Sequence, residues 1–260
     1  MAVEIGEEFW RHLAAQAAAE TLPRFRQGGS VVNKLDGGFD PVTEADRAAE
    51  QAIRAAIARR FPEHGILGEE FGAERADAAH QWIIDPIDGT RAFISGIPLW
   101  GTLVGVTENG RAVAGLMAQP YVGELFVAEG GKAWLHGPSG RRTLAVSGVT
   151  DLAGATLCTT SPTLFPVDGL EPYARVERAV RLARYGTDCY GYAMLATGQV
   201  DLVVESGLKS YDVCALIAIV EAAGGLMTTW DGGRAEEGGS ILAAATPELH
   251  AAAMDLLRMR

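Results

Sequence analysis

The chain has 260 residues, 48% apolar and 21% charged, which is enough to bury a core and too apolar for a disordered segment. Its formal net charge of −11, with no cluster of Lys and Arg, repels a polyanion such as duplex nucleic acid. Cys158, Cys189 and Cys214 stand far apart without paired spacing, which argues against a disulfide framework and against a thiolate metal site. The opening Met1-Ala2-Val3-Glu4 lacks the basic and apolar runs of a leader, and no stretch reaches the ~20 apolar residues of a membrane helix. The expected protein is cytoplasmic and has no membrane partner.

In residues 4 to 22, Ile5, Phe9 and Leu13 recur at four-residue intervals among alanines and predict an amphipathic first helix. A second helix is expected to begin after Thr43, where a hydroxyl stands three residues before the acid of Asp46; Ile53 and Ile57 follow on one face, and the helix ends near Phe61-Pro62. Trp82-Ile83-Ile84 reads as a short buried strand that stops at Asp85-Pro86-Ile87-Asp88-Gly89-Thr90. From Leu99 to Leu135, short apolar runs punctuated by Asn109-Gly110 and Gly130-Gly131 predict an antiparallel meander.

Past about residue 145 strands and helices alternate. Ala155 to Thr159 reads as a strand, Leu170 to Leu182 and Cys189 to Ala196 as helices, Val200 to Glu205 as a strand, Val213 to Ala223 as a helix and Ile241 to Ala245 as a strand. A last helix opens at Thr246-Pro247. The alternation predicts an α/β half with a mostly parallel sheet. The expected organisation is an N-terminal subdomain over 1–145 and a C-terminal α/β subdomain over 146–260, forming one compact unit.

Acidic residues fall at the ends of these elements: Asp46, the pair Glu69-Glu70, Asp85 and Asp88, Glu205, and Asp212. Ligand crevices form at the strand ends of an α/β layer. In the segment 85–90 a strand delivers one carboxylate, a proline-stiffened turn can return a second, Gly89 permits close approach, and Thr90 opens a helix whose free N–H groups suit a phosphate. Carboxylate and carbonyl oxygens are what Mg²⁺ prefers. Two metals sharing Asp85 would stabilise the attacking and leaving oxygens of an in-line displacement and lower the pKa of the attacking water. Each residue also has a plainer reading. Asp46 can be only the acid of a capping box, Asp88 and Asp212 N-caps, Glu70 a solvated charge and Thr90 a helix-start hydroxyl.

The motifs Pro41 to Asp46, Gly68 to Glu70, Trp82 to Thr90, and Tyr211 to Ala215 continued by Glu221 to Gly225, occur in the order found in the inositol monophosphatase superfamily, which the chain resembles from near its start to its end. Tyr211 stands where tryptophan is commoner. The resemblance implies a five-layered αβαβα sandwich, a homodimer, and two or three Mg²⁺ per site. It implies one metal on Glu69, Asp85 and the Ile87 carbonyl, and another on Asp85, Asp88 and Asp212. Glu69 and Thr90 would orient or activate the nucleophilic water, with Asp46 supporting Thr90 and Glu70 in an outer position. The Gly89 and Thr90 amides would hold phosphate, beside Arg91.

Residues 91–103 and 185–190 look most like the histidinol-phosphate phosphatase branch. Asp188 and Glu205 can meet the ammonium of that substrate; alternatively Asp188 merely caps the helix beginning at Cys189. Competing readings are an inositol- or nucleotide-phosphate phosphatase, for which the basic residues reduce to Arg91, Arg184 and Lys209, and an interaction protein that keeps the fold without catalysis.

Overall fold

The computed structural model describes residues 4–28, 31–33 and 41–259; Met1 to Val3, on which part of the N-terminal reading rests, lie outside them. The first half runs α1 (Glu7–Thr21), β1 (Val31–Asn33), β2 (Pro41–Thr43), α2 (Glu44–Arg60), β3 (Gly65–Gly68), β4 (Gly72–Glu74), β5 (His80–Asp88), α3 (Thr90–Ile94), β6 (Gly101–Glu108), β7 (Arg111–Gln119), β8 (Glu124–Glu129), β9 (Lys132–Gly137) and β10 (Gly140–Thr143). The second runs β11 (Thr156–Thr159), α4 (Val167–Ala179), β12 (Leu182–Tyr185), α5 (Asp188–Ala196), β13 (Leu202–Leu208), α6 (Ser210–Ala222), β14 (Leu226–Thr229), β15 (Gly239–Ala244) and α7 (Pro247–Arg258). Among the described residues no helix is long and apolar enough to cross a membrane.

Five layers result, in the αβαβα order expected. The helices α1 and α2 cover one face of an eight-stranded sheet, packing Trp10, Leu13, Ile53 and Ile57 on Ile66, Trp82 and Val104. The opposite face meets α5 and α6, which in turn lie on a five-stranded sheet in a core that includes Leu103, Phe126, Ile217, Val203 and Ile241. On the far side α4 and α7 close the stack through Tyr173, Val176, Leu249 and Met254.

Local signals explain the helix starts. Thr43 accepts the Ala45 N–H, and the Asp46 carboxylate accepts the Thr43 N–H at 2.8 Å, a reciprocal capping box. The first helix turns its expected face to the core and adds to it. It starts after Ile5, and its buried stripe is Trp10, Leu13, Ala17 and Thr21, with Phe9 only half-buried. Ile5, Phe9 and Leu13 all meet the core on this sheet, and the stripe continues along the helix through Trp10, Ala17 and Thr21.

Each of the two large sheets carries one exception to its expected strand direction. The eight-stranded sheet is antiparallel except that β3 pairs β5 in parallel, because β4 turns back on the outer side of β3 and leaves its inner edge to β5. The five-stranded sheet, ordered β12-β11-β13-β15-β14, has β12, β11, β13 and β14 running the same way, as a mostly parallel sheet should, but β15 lies between β13 and β14 and runs antiparallel to both. The crossover through α6 does return the chain parallel to β13. It skips one position, which the strand coming back from β14 then fills.

Burial along α6 is continuous from Val213 to Val220, as a helix clad by sheets on two sides requires. It seats on β6 and β7 at backbone distance. A Cβ added at Gly115 would stand 2.7 Å from the Ala215 Cα, and one at Gly105 2.7 Å from the Ala215 nitrogen. Gly115→Ala is therefore expected to lower stability by about 1–3 kcal/mol in a denaturant or thermal melt; an unchanged melt would mean that α6 has slack against the sheet.

Candidate metal-binding active site

At the end of β5 the regular alternation of side chains is broken. Asp85 pairs with Leu103 and Asp88 with Gly101, so three steps on β5 face two on β6. One extra residue in a strand is a bulge, and it turns positions 85 and 88 to the same side, where regular pleating would have paired 85 with 87. The bulge is internally tied. Thr102 Oγ1 donates to the Pro86 carbonyl at 2.8 Å, and the Ile87 N–H donates to Asp85 Oδ1 at 3.1 Å. The segment thus belongs to the strand and does not follow it, as the sequence had suggested. Gly89 comes next in the left-handed region at φ 80° and starts α3, where Thr90 Oγ1 donates to the Ile87 carbonyl at 3.0 Å.

Asp212 enters from the first turn of α6, its carboxylate accepting the Lys209 N–H at 2.6 Å. Carboxylate oxygens of Asp85, Asp88 and Asp212 all lie within 4.8 Å of one another. Around them opens a cleft of about 360 Å³ that Glu69, Ile87, Gly89, Thr90, Arg91, Asp188 and Glu205 also line. Every residue named for metal, phosphate or substrate contact is therefore on one surface. Asp46 and Glu70 stand behind it, and Asp46 is close enough for its charge to act on Asp85. Asp46 Oδ2 accepts from the Thr43 N–H and hydroxyl, and Thr90 Oγ1 donates to the Ile87 carbonyl.

The far wall comes from the second half of the chain. Asp188, the first residue of α5, is a non-glycine in the left-handed region at φ 44°, a conformation Asp tolerates better than most residues. The next residue's N–H donates to Asp88 Oδ2 at 2.6 Å, joining the two halves at the cluster. Glu205 is buried, and three donors already reach it: the Thr160 N–H at 2.6 Å, the Thr160 hydroxyl at 2.9 Å and the Thr159 hydroxyl at 3.2 Å. Thr160 was missed in the sequence, although a polar pair closing an apolar strand at a sheet end was a usable signal. Ser206, Gly207, Leu208 and Leu164 also line the cleft without any such mark.

Among the described residues, negative charge in the cleft is poorly compensated. Burial, joined by repulsion from neighbouring acids, raises Asp85 and Asp88 well above the usual carboxylate range. Burial likewise lifts Asp212, Asp46 and Asp188 to about 6, and Glu205 to about 7. Arg91 near Asp188 and Lys209 near Asp212 oppose this only in part. The donor set is oxygen throughout, with no imidazole on the walls, and it fits a hard divalent cation such as Mg²⁺ better than zinc.

Stacked sheets with a carboxylate-lined cleft at their ends define a layered α/β protein with a candidate divalent-cation site. A family model described as the inositol monophosphatase family matches residues 7–259, and the chain belongs to that family. It is 41% identical over 229 residues to a chloroplastic bifunctional phosphatase, IMPL2, of Arabidopsis thaliana, covering 85% of this chain and 63% of the plant protein. It is 38% identical over 222 residues to a histidinol-phosphatase of Chlorobaculum parvum, covering 82% of this chain and 81% of that one. Among solved structures, an inositol monophosphatase of Zymomonas mobilis aligns with a TM-score of 0.86 at 38% identity, over 99% of this chain and 100% of its own. The family is one of phosphoric monoester hydrolases.

Carboxylates whose pKa is raised by folding bind protons on folding, so the stability they contribute falls as pH rises from about 4, the unfolded value, through about 6 to 7. Histidines lowered by burial, such as His64 and His250, lose stability in the opposite direction, as pH falls. The Mg²⁺-induced rise in Tm isolates the cluster from them. It is expected to be at least about 5 °C larger near pH 8 than near pH 5; an increment independent of pH would remove these acids as the cation trap.

Proposed function

We propose that this protein is a magnesium-dependent histidinol-phosphatase that hydrolyses L-histidinol phosphate to L-histidinol and phosphate. Glu69, Asp85, the Ile87 carbonyl, Asp88 and Asp212 would hold the cations, two or three per site. Bound there, divalent ions supply charge neutralisation for the phosphoryl group and make a neighbouring water a better nucleophile. The protein's own groups do the rest. Amide N–H groups of Gly89 and Thr90 bind phosphoryl oxygens, with Arg91 alongside. Thr90 Oγ1 donates to the Ile87 carbonyl and so offers its lone pairs to the attacking water, which is thereby oriented in line with the ester oxygen. The Glu69 carboxylate accepts the proton that this water gives up. As the water oxygen bonds to phosphorus the P–O bond to the alcohol breaks, and the alcohol oxygen takes up a proton from solvent water.

The observation that supports the substrate reading is Asp188, a carboxylate that lines the cleft outside the cluster of Asp85, Asp88 and Asp212, with the Thr160 hydroxyl and Arg91 beside it, and that would face the alcohol part of the ester. An ammonium group repays that carboxylate; a neutral polyol does not. Glu205 is the weaker candidate for this contact, since three donors already satisfy it. The histidinol-phosphatase relative at 38% identity supports the same reading. Because the cleft draws on residues from both halves, 1–145 and 146–260 are inferred to work as one unit; that the unit is a cytoplasmic homodimer is proposed from the family resemblance.

The second reading, an inositol-1-phosphate phosphatase, is favoured by the equal identity to the Zymomonas mobilis structure. Steady-state kcat/KM with Mg²⁺ on L-histidinol phosphate and inositol 1-phosphate decides between them. At least a ten-fold preference for the amino ester is expected, and a preference for the polyol ester would sink the assignment. In the same assay Asp188→Ala is expected to raise KM for L-histidinol phosphate about ten-fold with a smaller change in kcat; equal loss on both esters would contradict the ammonium contact.

A further inference from the structure

Glu50 lies on α2 one turn beyond Asp46, and its side chain has no exposed surface. The chemistry proposed above makes no use of it, yet three donors converge on its carboxylate. Oε2 accepts the Glu70 N–H at 2.7 Å, Oε1 accepts the Phe71 N–H at 3.3 Å, and Arg54 Nε donates to Oε1 at 2.7 Å. Arg54 continues the network by donating to the Gly72 carbonyl, and its guanidinium stands 3.8 Å from Glu74. The turn so gripped, residues 69–71 between β3 and β4, carries Glu69. Even the residue before it is shaped by the contact: a Cβ on Gly68 would come within 1.9 Å of the Glu50 carboxylate.

On its other side the turn is tied to β5, where the Glu69 N–H donates to the Ile84 carbonyl at 3.1 Å. Ile84 immediately precedes Asp85. Glu69 is therefore held between the strand that presents Asp85 and a buried carboxylate on the helix behind. Arg47 reaches the Glu70 carboxylate only at 3.8 Å, a looser hold.

We infer that Glu50 is the positioning residue of Glu69: by accepting the two amides that follow it, Glu50 fixes the direction of the Glu69 carboxylate into the cleft and thereby sets cation affinity. The inference rests on the reading of Glu69 as a cation ligand. Hydrogen bonds to a buried charge are about twice as strong as neutral ones, and partners that orient a ligand typically contribute about 10- to 100-fold to metal affinity. A glutamine at position 50 keeps the shape but turns an NH₂ group toward donors, so the turn loses part of its hold.

The test is calorimetric titration of the full chain with Mg²⁺ alone, for wild type, Glu50→Gln, Glu69→Gln and the double variant. Glu50→Gln is expected to weaken binding about ten-fold, Glu69→Gln to weaken it at least as much, and the double variant to match Glu69→Gln, because one residue acts through the other. Wild-type affinity in Glu50→Gln alongside a weakened Glu69→Gln overturns the positioning role, and so do additive losses in the double variant. Wild-type affinity in Glu69→Gln overturns instead the ligand reading of Glu69, and the inference with it. If Glu50→Gln shows no cooperative melt, Glu50→Met/Arg54→Met replaces it, since that pair leaves no buried unpaired charge. Loss of the melt in both makes Glu50 a folding residue only and overturns the proposal.

Discussion

Carboxylates crowded into a largely buried cluster repel one another, and the hydrogen bonds around this site answer that repulsion. Asp85, Asp88 and Asp212 converge to within 4.8 Å while burial raises their affinity for protons. Left alone, such a group would either take up protons or spread apart. The chain prevents spreading by giving each acid a backbone donor: Ile87 for Asp85, Cys189 for Asp88, Lys209 for Asp212 and Thr43 for Asp46. Amide dipoles hold the carboxylates without cancelling their net charge, so the attraction for a divalent cation survives.

Holding acids from distant parts of the chain at ångström tolerance requires a stiff frame. The frame is the central helix layer between two sheets, where α6 rests directly on the backbone of β6 and β7. No side chain intervenes at Gly105 and Gly115, so the distance from the start of α6 to the end of β5 is set by main chain and not by rotamers. Because α5 lies in the same layer, one packing arrangement places both Asp212 and the amide that binds Asp88.

Much of this was legible in the sequence wherever the governing signal is local. The capping box at Thr43, the hairpin punctuation of the meander and the proline start of α7 each act within a few residues, and each element was found. Short exposed strands such as β4, β10 and most of β12 were not, because strands with little buried face carry no alternation. Nor was the slot taken by β15, which depends on pairing between strands far apart in the chain. The acids at element ends stood out because such positions seldom need charge. Glu50 did not: an acid in mid-helix beside arginines has the same local pattern as a solvated face, and only its burial reveals its partners.

The bulge at the end of β5 has a bearing on how this stretch of chain can vary. Which face a carboxylate occupies there is decided by counting, three residues against two, and not by the nature of Pro86 or Ile87. Exchanges at those two positions that keep the main chain in place preserve the geometry, whereas the same three steps in regular pleating, without the bulge, would turn the two acids to opposite faces. The information stored between Asp85 and Asp88 is thus a number before it is a spelling, and alignments that slide a gap through it would misassign the site.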